Sequence, residues 1–273
     1  MSATEFTEPV VSGSWRGASD LKLVARQVRY EQLSFWLNPV GAMFTIGFSL
    51  VFLVLLGASA GNSRISYLGN IRLIQYYVPG FVAYGIMAAC FNILAITTVN
   101  RRELGLLKRV RLSPLPAWVL VTAIVVSSMI VAIIQVALLL VVGRVAFGVH
   151  GPADVPAFVL AAVVGMVSFS ALGIAMSTLI PNQDAAGPIV SIVFFVLLFL
   201  SGLWFPLKPG SGLAQFSNYF PVHHLITAIL VPFNRPRGAS PWAWHDLLVV
   251  ALWGVLGAVV AARRWQWSPR RAK

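Results

Sequence analysis

One cysteine stands in the whole chain, Cys90, inside an apolar run with no second thiol to meet. A disulfide framework and a cysteine-based metal site are therefore excluded. Acidic residues are scarce as well, with eight Asp and Glu against 20 Lys and Arg in 273 residues. Charged residues of both signs make up 10% of the chain and hydrophobic ones 58%, with a mean hydropathy of +0.83. Those values lie outside the range of a water-soluble domain. The scarcity is also local, because five apolar runs of about 20 residues contain no charge at all. A proton-driven carrier is expected to bury an ionisable group near mid-membrane, and here Arg144 and Asp246 come nearest, at the edges of runs. No G-x-x-x-x-G-K-[ST] occurs, so this chain has no P-loop of that kind to cradle ATP phosphates.

What is present is hydrocarbon-spanning sequence. A helix rising ~1.5 Å per residue crosses ~30 Å of hydrocarbon in about 20 residues. The runs 40–59, 78–99, 118–142, 157–180 and 189–207 meet that length. A sixth, 247–262, is shorter, but Trp242 and Trp244 precede it and Trp265 and Trp267 follow it, as interfacial aromatics do. The reading is an all-α membrane protein of six transmembrane helices. The net charge of +12 does not point to nucleic acid, because the bases gather at the ends of apolar runs and form no continuous stripe. With the N-terminus inside, the cytoplasmic parts hold fourteen bases, among them Arg26, Arg101, Arg102, Lys108, Arg109, Arg263 and Arg270. The outside then holds six, Arg64, Arg72, Arg144, Lys208, Arg235 and Arg237. The excess predicts both termini on the cytoplasmic side of the cell's inner membrane. The first residues include Glu5, Glu8 and Asp20 and no apolar core of a signal peptide, so a cleaved leader is not expected.

The runs divide the chain into a flexible cytoplasmic tail (1–18), one membrane domain (19–267) and a basic tail (268–273). Ser19 and Asp20 are candidate caps for an amphipathic helix over 19–38, with Leu21, Val24, Ala25, Val28, Phe35 and Trp36 on one side and Lys22, Arg26 and Arg29 beside them. Such a helix lies in the membrane interface. A soluble helix packed on a partner is the alternative. The stretch 208–245 is apolar but broken by Asn218, Pro221, His223 and His224, and it reads as an outer re-entrant element before the last span.

The loop 100–117 holds five of the 20 bases. Drawn as a helix, it puts Leu104, Leu106, Leu107 and Val110 on one arc and Arg101, Arg102, Lys108 and Arg109 on the other. Glu103 falls among the leucines with no base three or four residues away. Ser113, Pro114 and Pro116 end the element. Basic juxtamembrane loops of any kind fix topology and bind headgroups. The ordered leucine face, the lone carboxylate and the abrupt stop together suit a docking element.

These residues carry a resemblance. RRELGLLKRVRLSPLP is similar to the cytoplasmic loop of bacterial ABC-2 type permeases. LIPNQDAAGPIV, FLSGLWFPL and FPVHHLITAI resemble that family's segments around the fifth span. The resemblance covers about 21–264. It implies a six-helix permease with an N-terminal elbow helix, a cytoplasmic coupling helix and an outward re-entrant hairpin. It further implies two cytosolic ABC ATPase subunits, which bind ATP and Mg, and a second permease, identical or homologous. Export of an amphipathic drug or lipid follows from it, with a polysaccharide or lipid-linked glycan as the alternative cargo. Glu103, Leu104, Leu106, Leu107, Val110, Arg101, Arg102, Lys108 and Arg109 would then couple to the ATPase. Phe44, Phe48, Phe91, Asn92, Ser201 and Trp204 would line the passage. Asn100 and Arg101 depart from the pattern, standing where many members have an acidic residue.

Four histidines invite a metal reading, but adjacent His223 and His224 point about 100° apart on a helix and no nearby Cys or Glu completes a set. No metal, no cofactor on this chain and no nucleic acid are expected. Two readings of other classes stand beside the permease: an intramembrane enzyme using His223, His224 and Asp246, and a non-transporting scaffold.

Overall fold

A computed structural model describes residues 18–107, 116–208, 210–234 and 240–265. Helix α1 (Ala18–Trp36) precedes the first span, α2 (Pro39–Ala60). A two-stranded hairpin follows, β1 (Arg64–Ile65) antiparallel to β2 (Ile71–Arg72). The other spans are α3 (Leu73–Glu103), α4 (Ala117–Phe147), α5 (Val155–Leu179), α6 (Gln183–Leu200) and α9 (Trp244–Arg264). Two short helices, α7 (Gly212–Ser217) and α8 (Pro221–Phe233), stand before the last span. Thirteen residues of α8 reach only ~20 Å, too short to cross. Six helices are therefore long and apolar enough to cross a membrane, and the fold is all-α apart from the hairpin.

The fifth span lies further toward the N-terminus than predicted, at Gln183–Leu200 against 189–207. Two local causes account for the shift. The Asn182 side chain accepts from the Ala185 N–H and starts the helix ahead of the apolar run, and Gly202, at φ 81°, turns the chain after Leu200. Helix α1 also begins before its predicted cap, so Ser19 and Asp20 sit in its first turn. Its predicted apolar face divides. Val24, Val28 and Phe35 are partly buried, whereas Leu21 is 73% exposed and Ala25 and Trp36 also face outward. Polar bonds set this rotation: Gln32 Nε2 donates to both the carbonyl and the hydroxyl of Ser127 on α4, at 2.8 and 2.9 Å.

Helix α3 is the centre of the bundle, with 78% of its apolar window buried, against 22% for α6 and for α9. It carries a π-helical stretch over Ala88–Ile93. The widened turn lets α5 come close at Gly173, where a Cβ would stand 2.8 Å from the Cys90 carbonyl oxygen. Helix α9 meets α5 in the same way, through Gly254 and Gly257. Small residues at such crossings allow dispersion contact between backbones, which matters in lipid because apolar burial between spans gains little there. Pro79 within α3 has no N–H for the Gln75 carbonyl. Asn234 Nδ2 donates to that oxygen instead, at 3.4 Å.

At its other end α3 is held by Arg102, which is buried. Its Nη1 donates to the Ser177 carbonyl at 3.0 Å and its Nη2 to the Ile180 carbonyl at 2.7 Å, satisfying the C-terminus of α5. Nε donates to Glu103 Oε1 at 2.7 Å. The guanidinium is thus a three-way fork that a lysine cannot copy. Arg102→Ala is expected to destabilise the purified protein by about 3–5 kcal/mol, because it strands a largely buried carboxylate and two helix-end carbonyls. Arg102→Lys should recover only part of this. Thermal unfolding in detergent measures both, and an unchanged melting temperature for Arg102→Ala would remove the assigned role.

Candidate functional site

The loop after α3 does not continue as a helix. Glu103 ends α3, Leu104 turns, Gly105 takes φ 70° and Leu106 and Leu107 are helical again. The break at Gly105 re-sorts the predicted leucine arc. Leu104 is 60% exposed and Leu106 42%, but Leu107 is 2% exposed and packs with Leu94, Leu120, Ile124 and Ile174. Leu107 is therefore a core residue of this chain. Lys108, Arg109 and Val110 lie outside the described residues. Glu103 finds its base next door in Arg102, both in the last turn of α3. Arg101 pairs with Glu31 and so ties α1 to the end of α3.

The six residues assigned to a passage fall in several places. Phe48 and Trp204 belong to one aromatic cluster, joined by Phe52, Phe81, Tyr84 and Phe194. Ring centroids stand 4.3 Å apart for Phe48 and Phe52, and 5.2 Å for Phe52 and Trp204. The Trp204 indole N–H is buried with no hydrogen-bond partner among the described residues. Phe44 lines a separate cavity with Glu31 and Arg101. Phe91 is buried in the π-helical stretch, where Gly173 of α5 comes close to its backbone, and Asn92 beside it is half-buried. Ser201 serves the turn after α6, its hydroxyl bonding the Leu198 carbonyl and receiving the Leu203 N–H. The residues missed by sequence reasoning are Phe52, Phe81, Tyr84 and Phe194. A period of three and four among Phe48, Phe52, Tyr77, Phe81 and Tyr84 was the available signal.

At the opposite end of the bundle, His224 on α8 is buried between two acceptors. Nδ1 stands 2.6 Å from Asp246 Oδ1 and Nε2 2.9 Å from the Asn218 carbonyl. Both ring nitrogens therefore donate, and the imidazolium is favoured. The Asp246 hydrogen bond, chiefly, raises the His224 pKa above its ordinary value. Burial lowers that of His223, whose Nδ1 faces the Ser201 carbonyl at 3.4 Å. Ligand atoms of His224, His245 and Asp246 lie within 4.8 Å of one another. Two ligands on one tetrahedral ion with ~2.0 Å bonds stand about 3.3 Å apart, so the 2.6 Å contact is that of a hydrogen-bonded pair. As a catalytic dyad the pair is also ill-placed, since its second nitrogen faces a backbone carbonyl and no nucleophile.

A raised histidine pKa stabilises the fold below the unfolded value of ~6.5, and that stabilisation is lost as pH rises through the folded value. Wild type should therefore exceed Asp246→Asn in melting temperature most at pH 6, and the gap should shrink by pH 8.5. A gap that stays constant across that range would mean that His224 does not titrate against Asp246.

The chain matches the model of the ABC-2 family transporter protein over residues 63–263, from the hairpin to the end of α9. It is also 23% identical to YvfS of Bacillus subtilis (strain 168), named as a transport permease, over 184 residues, covering 66% of this chain and 73% of that protein. The matched residues take in five of the six spans, the loop after α3 and the paired short helices. The chain belongs to the ABC-2 family of transporter proteins, and it is a multi-pass transport permease of the membrane.

Proposed function

We propose that the chain is the membrane subunit of an ATP-driven exporter, works as a pair of copies, and moves an amphipathic compound such as a drug or lipid outward. Two cytosolic ATPase subunits, which hold ATP and Mg, supply the energy. The observation that carries the coupling is the pair of exposed leucines, Leu104 and Leu106, set on a turn whose neighbours tie α3 to two other helices, α5 and α1. An ATPase groove that takes these side chains pulls directly on Arg102, and through it on the end of α5. It pulls equally on Arg101, and through Glu31 on α1. A displacement at the loop thus reaches the bundle through charged contacts rather than through slack chain. The excess of bases on the two termini and this loop supports a cytoplasmic location for all three.

The second copy is supported by α6. Ile192, Phe195, Val196 and Phe199 leave an apolar face exposed on a helix that is buried on its other side only by Ala186, Val190, Phe194 and Leu198. That face is linked to the aromatic cluster through Phe195, which meets Phe194, itself packed on Tyr84. Two copies joined there would enclose a passage between aromatic walls, where Phe48 and Trp204 would meet cargo. The partial polarity of the cavity beside Phe44 supports an amphipathic cargo.

Co-expression with a Walker A ATPase, if a neighbouring reading frame encodes one, tests the coupling. Leu104→Asp and Leu106→Asp are expected to fold normally, yet to lose the ATPase on purification or hydrolyse ATP without export. Leu107→Asp should instead unfold the protein, at about 4 kcal/mol or more, because it puts an unpaired charge in a closed apolar cluster. Normal ATPase recovery and transport in the first two variants would overturn the docking assignment. Native mass spectrometry of the complex should count two permease chains per particle, and a fully active particle with one would end the paired model.

A further inference from the structure

A cavity of about 420 Å³ opens between α1, α2, α3 and α4 at the Arg102 end of the bundle. Such a volume is within the range of small-molecule sites, ~300–1,000 Å³. Its wall changes character with depth. Along one face of α3 the lining residues are Arg101, Thr97, Ile93 and Ala89, one helical turn apart, so charge gives way to hydroxyl and then to hydrocarbon over ~18 Å. Val131 of α4 and Ala42 of α2 continue the apolar part.

The charged mouth contains a pair with unused capacity. Only Nη2 of Arg101 is engaged, by Glu31, and its Nε and Nη1 have no partner among the described residues. Glu31 is buried and accepts one bond on each oxygen, from Gln27 Nε2 at 3.1 Å and from Arg101, where a carboxylate can accept about four. The mouth thus offers donors and acceptors side by side with no net charge. An anion alone would meet the carboxylate, and a cation alone the guanidinium. A headgroup carrying both charges meets both.

We propose that this cavity binds a single-chain amphiphile whose headgroup joins a phosphate to an amine, with the phosphate on the free edge of Arg101, the ammonium on Glu31 and the chain along Ile93, Ala89 and Val131. Its standing as cargo rests on the exporter reading. The site itself does not, so binding is measured on the permease chain alone. The full chain in dodecyl maltoside is titrated with 1-oleoyl lysophosphatidylethanolamine, dioleoyl phosphatidylethanolamine, oleyl phosphate and oleylamine, and bound species are counted by native mass spectrometry. The lyso compound is expected to bind about tenfold tighter than oleyl phosphate or oleylamine, as one charge-assisted contact gives. Arg101→Ala and Glu31→Gln should each remove that preference. Ser34→Trp, at an exposed position on the rim with no side-chain hydrogen bond among the described residues, should block uptake while leaving the melting temperature unchanged. Equal binding of all four probes, or indifference to these variants, overturns the site. Tighter binding of the diacyl lipid with the same sensitivity to the variants overturns the assignment as cargo and leaves a seat for a membrane lipid. Intact binding without ATP-driven transport would instead count against the exporter and not against the site.

Discussion

Arg102 is a buried guanidinium at the end of the most enclosed helix, and such a charge is tolerable only when its donors are met. The Ser177 and Ile180 carbonyls and the Glu103 carboxylate meet them, and meeting them fixes where α3 stops. Glu103, the last residue of α3, lies against its neighbour at that point. The chain then turns at Gly105 through a left-handed conformation that suits glycine. That turn decides which leucines face outward and which one seals the small cluster around Leu94 and Ile174. The exposed Leu104 and Leu106 thus stand directly after this charged fork, which joins the ends of α3 and α5.

Between the ends, the spans are joined by contacts that suit a solvent as apolar as the side chains. Gln135 on α4 donates to the Thr45 carbonyl and the Ser49 hydroxyl of α2 at 3.1 and 2.9 Å, a polar tie inside an uncharged region. Glycines at 173, 254 and 257 bring backbones together where dispersion has the shortest range to cover. The Pro79 gap is filled from α8 by Asn234, which also anchors the short helix pair to the centre of the bundle. Each device repairs or exploits the backbone, because in hydrocarbon an unmet carbonyl costs more than an unfilled apolar surface.

The six spans were legible because uncharged length is a signal that tertiary structure rarely overrides, whereas the caps that set their starts, at Asn38, Asp154 and Asn182, went unread. The register of α6 was not legible, since the cap outweighed hydropathy over the first turn and a half. The rotation of α1 escaped for a related reason: amphipathicity described a lipid-facing stripe, whereas Gln32 and Glu31, polar residues with distant partners, selected the packed face. Glu103 was recognised as anomalous but not its partner, because a base was sought only three and four residues away. The pairing of His224 with Asp246 joins residues 22 apart across a turn, and the hairpin over 64–72 consists of two residues on each side. Neither leaves a period in the sequence. Of the assigned passage residues, Phe48 and Trp204 share a cluster, while Phe44, Phe91 and Ser201 serve three different surroundings, since residue type alone carries no information about which neighbours a ring will meet.

The distribution of contact strengths also says where this bundle can change shape. Its Arg102 end is closed by ion pairs and carbonyl forks that lose several kcal/mol if opened. The other end is closed by the His224 pair and by the Tyr76 hydroxyl donating to the Gly202 carbonyl at 2.8 Å. The aromatic cluster between α2, α3 and the segment after α6 has neither. Its edge-to-face contacts are worth about 0.5–1.5 kcal/mol each, and one ring pair can be exchanged for another with little net loss. Among the described residues, Trp204 has no hydrogen bond that would hold it in one place. A force applied at Leu104 and Leu106 therefore meets stiff material first, the joined ends of α3, α5 and α1. Under the proposed coupling, it would be relieved where resistance is least, in the aromatic layer that α2 and α6 share with α3.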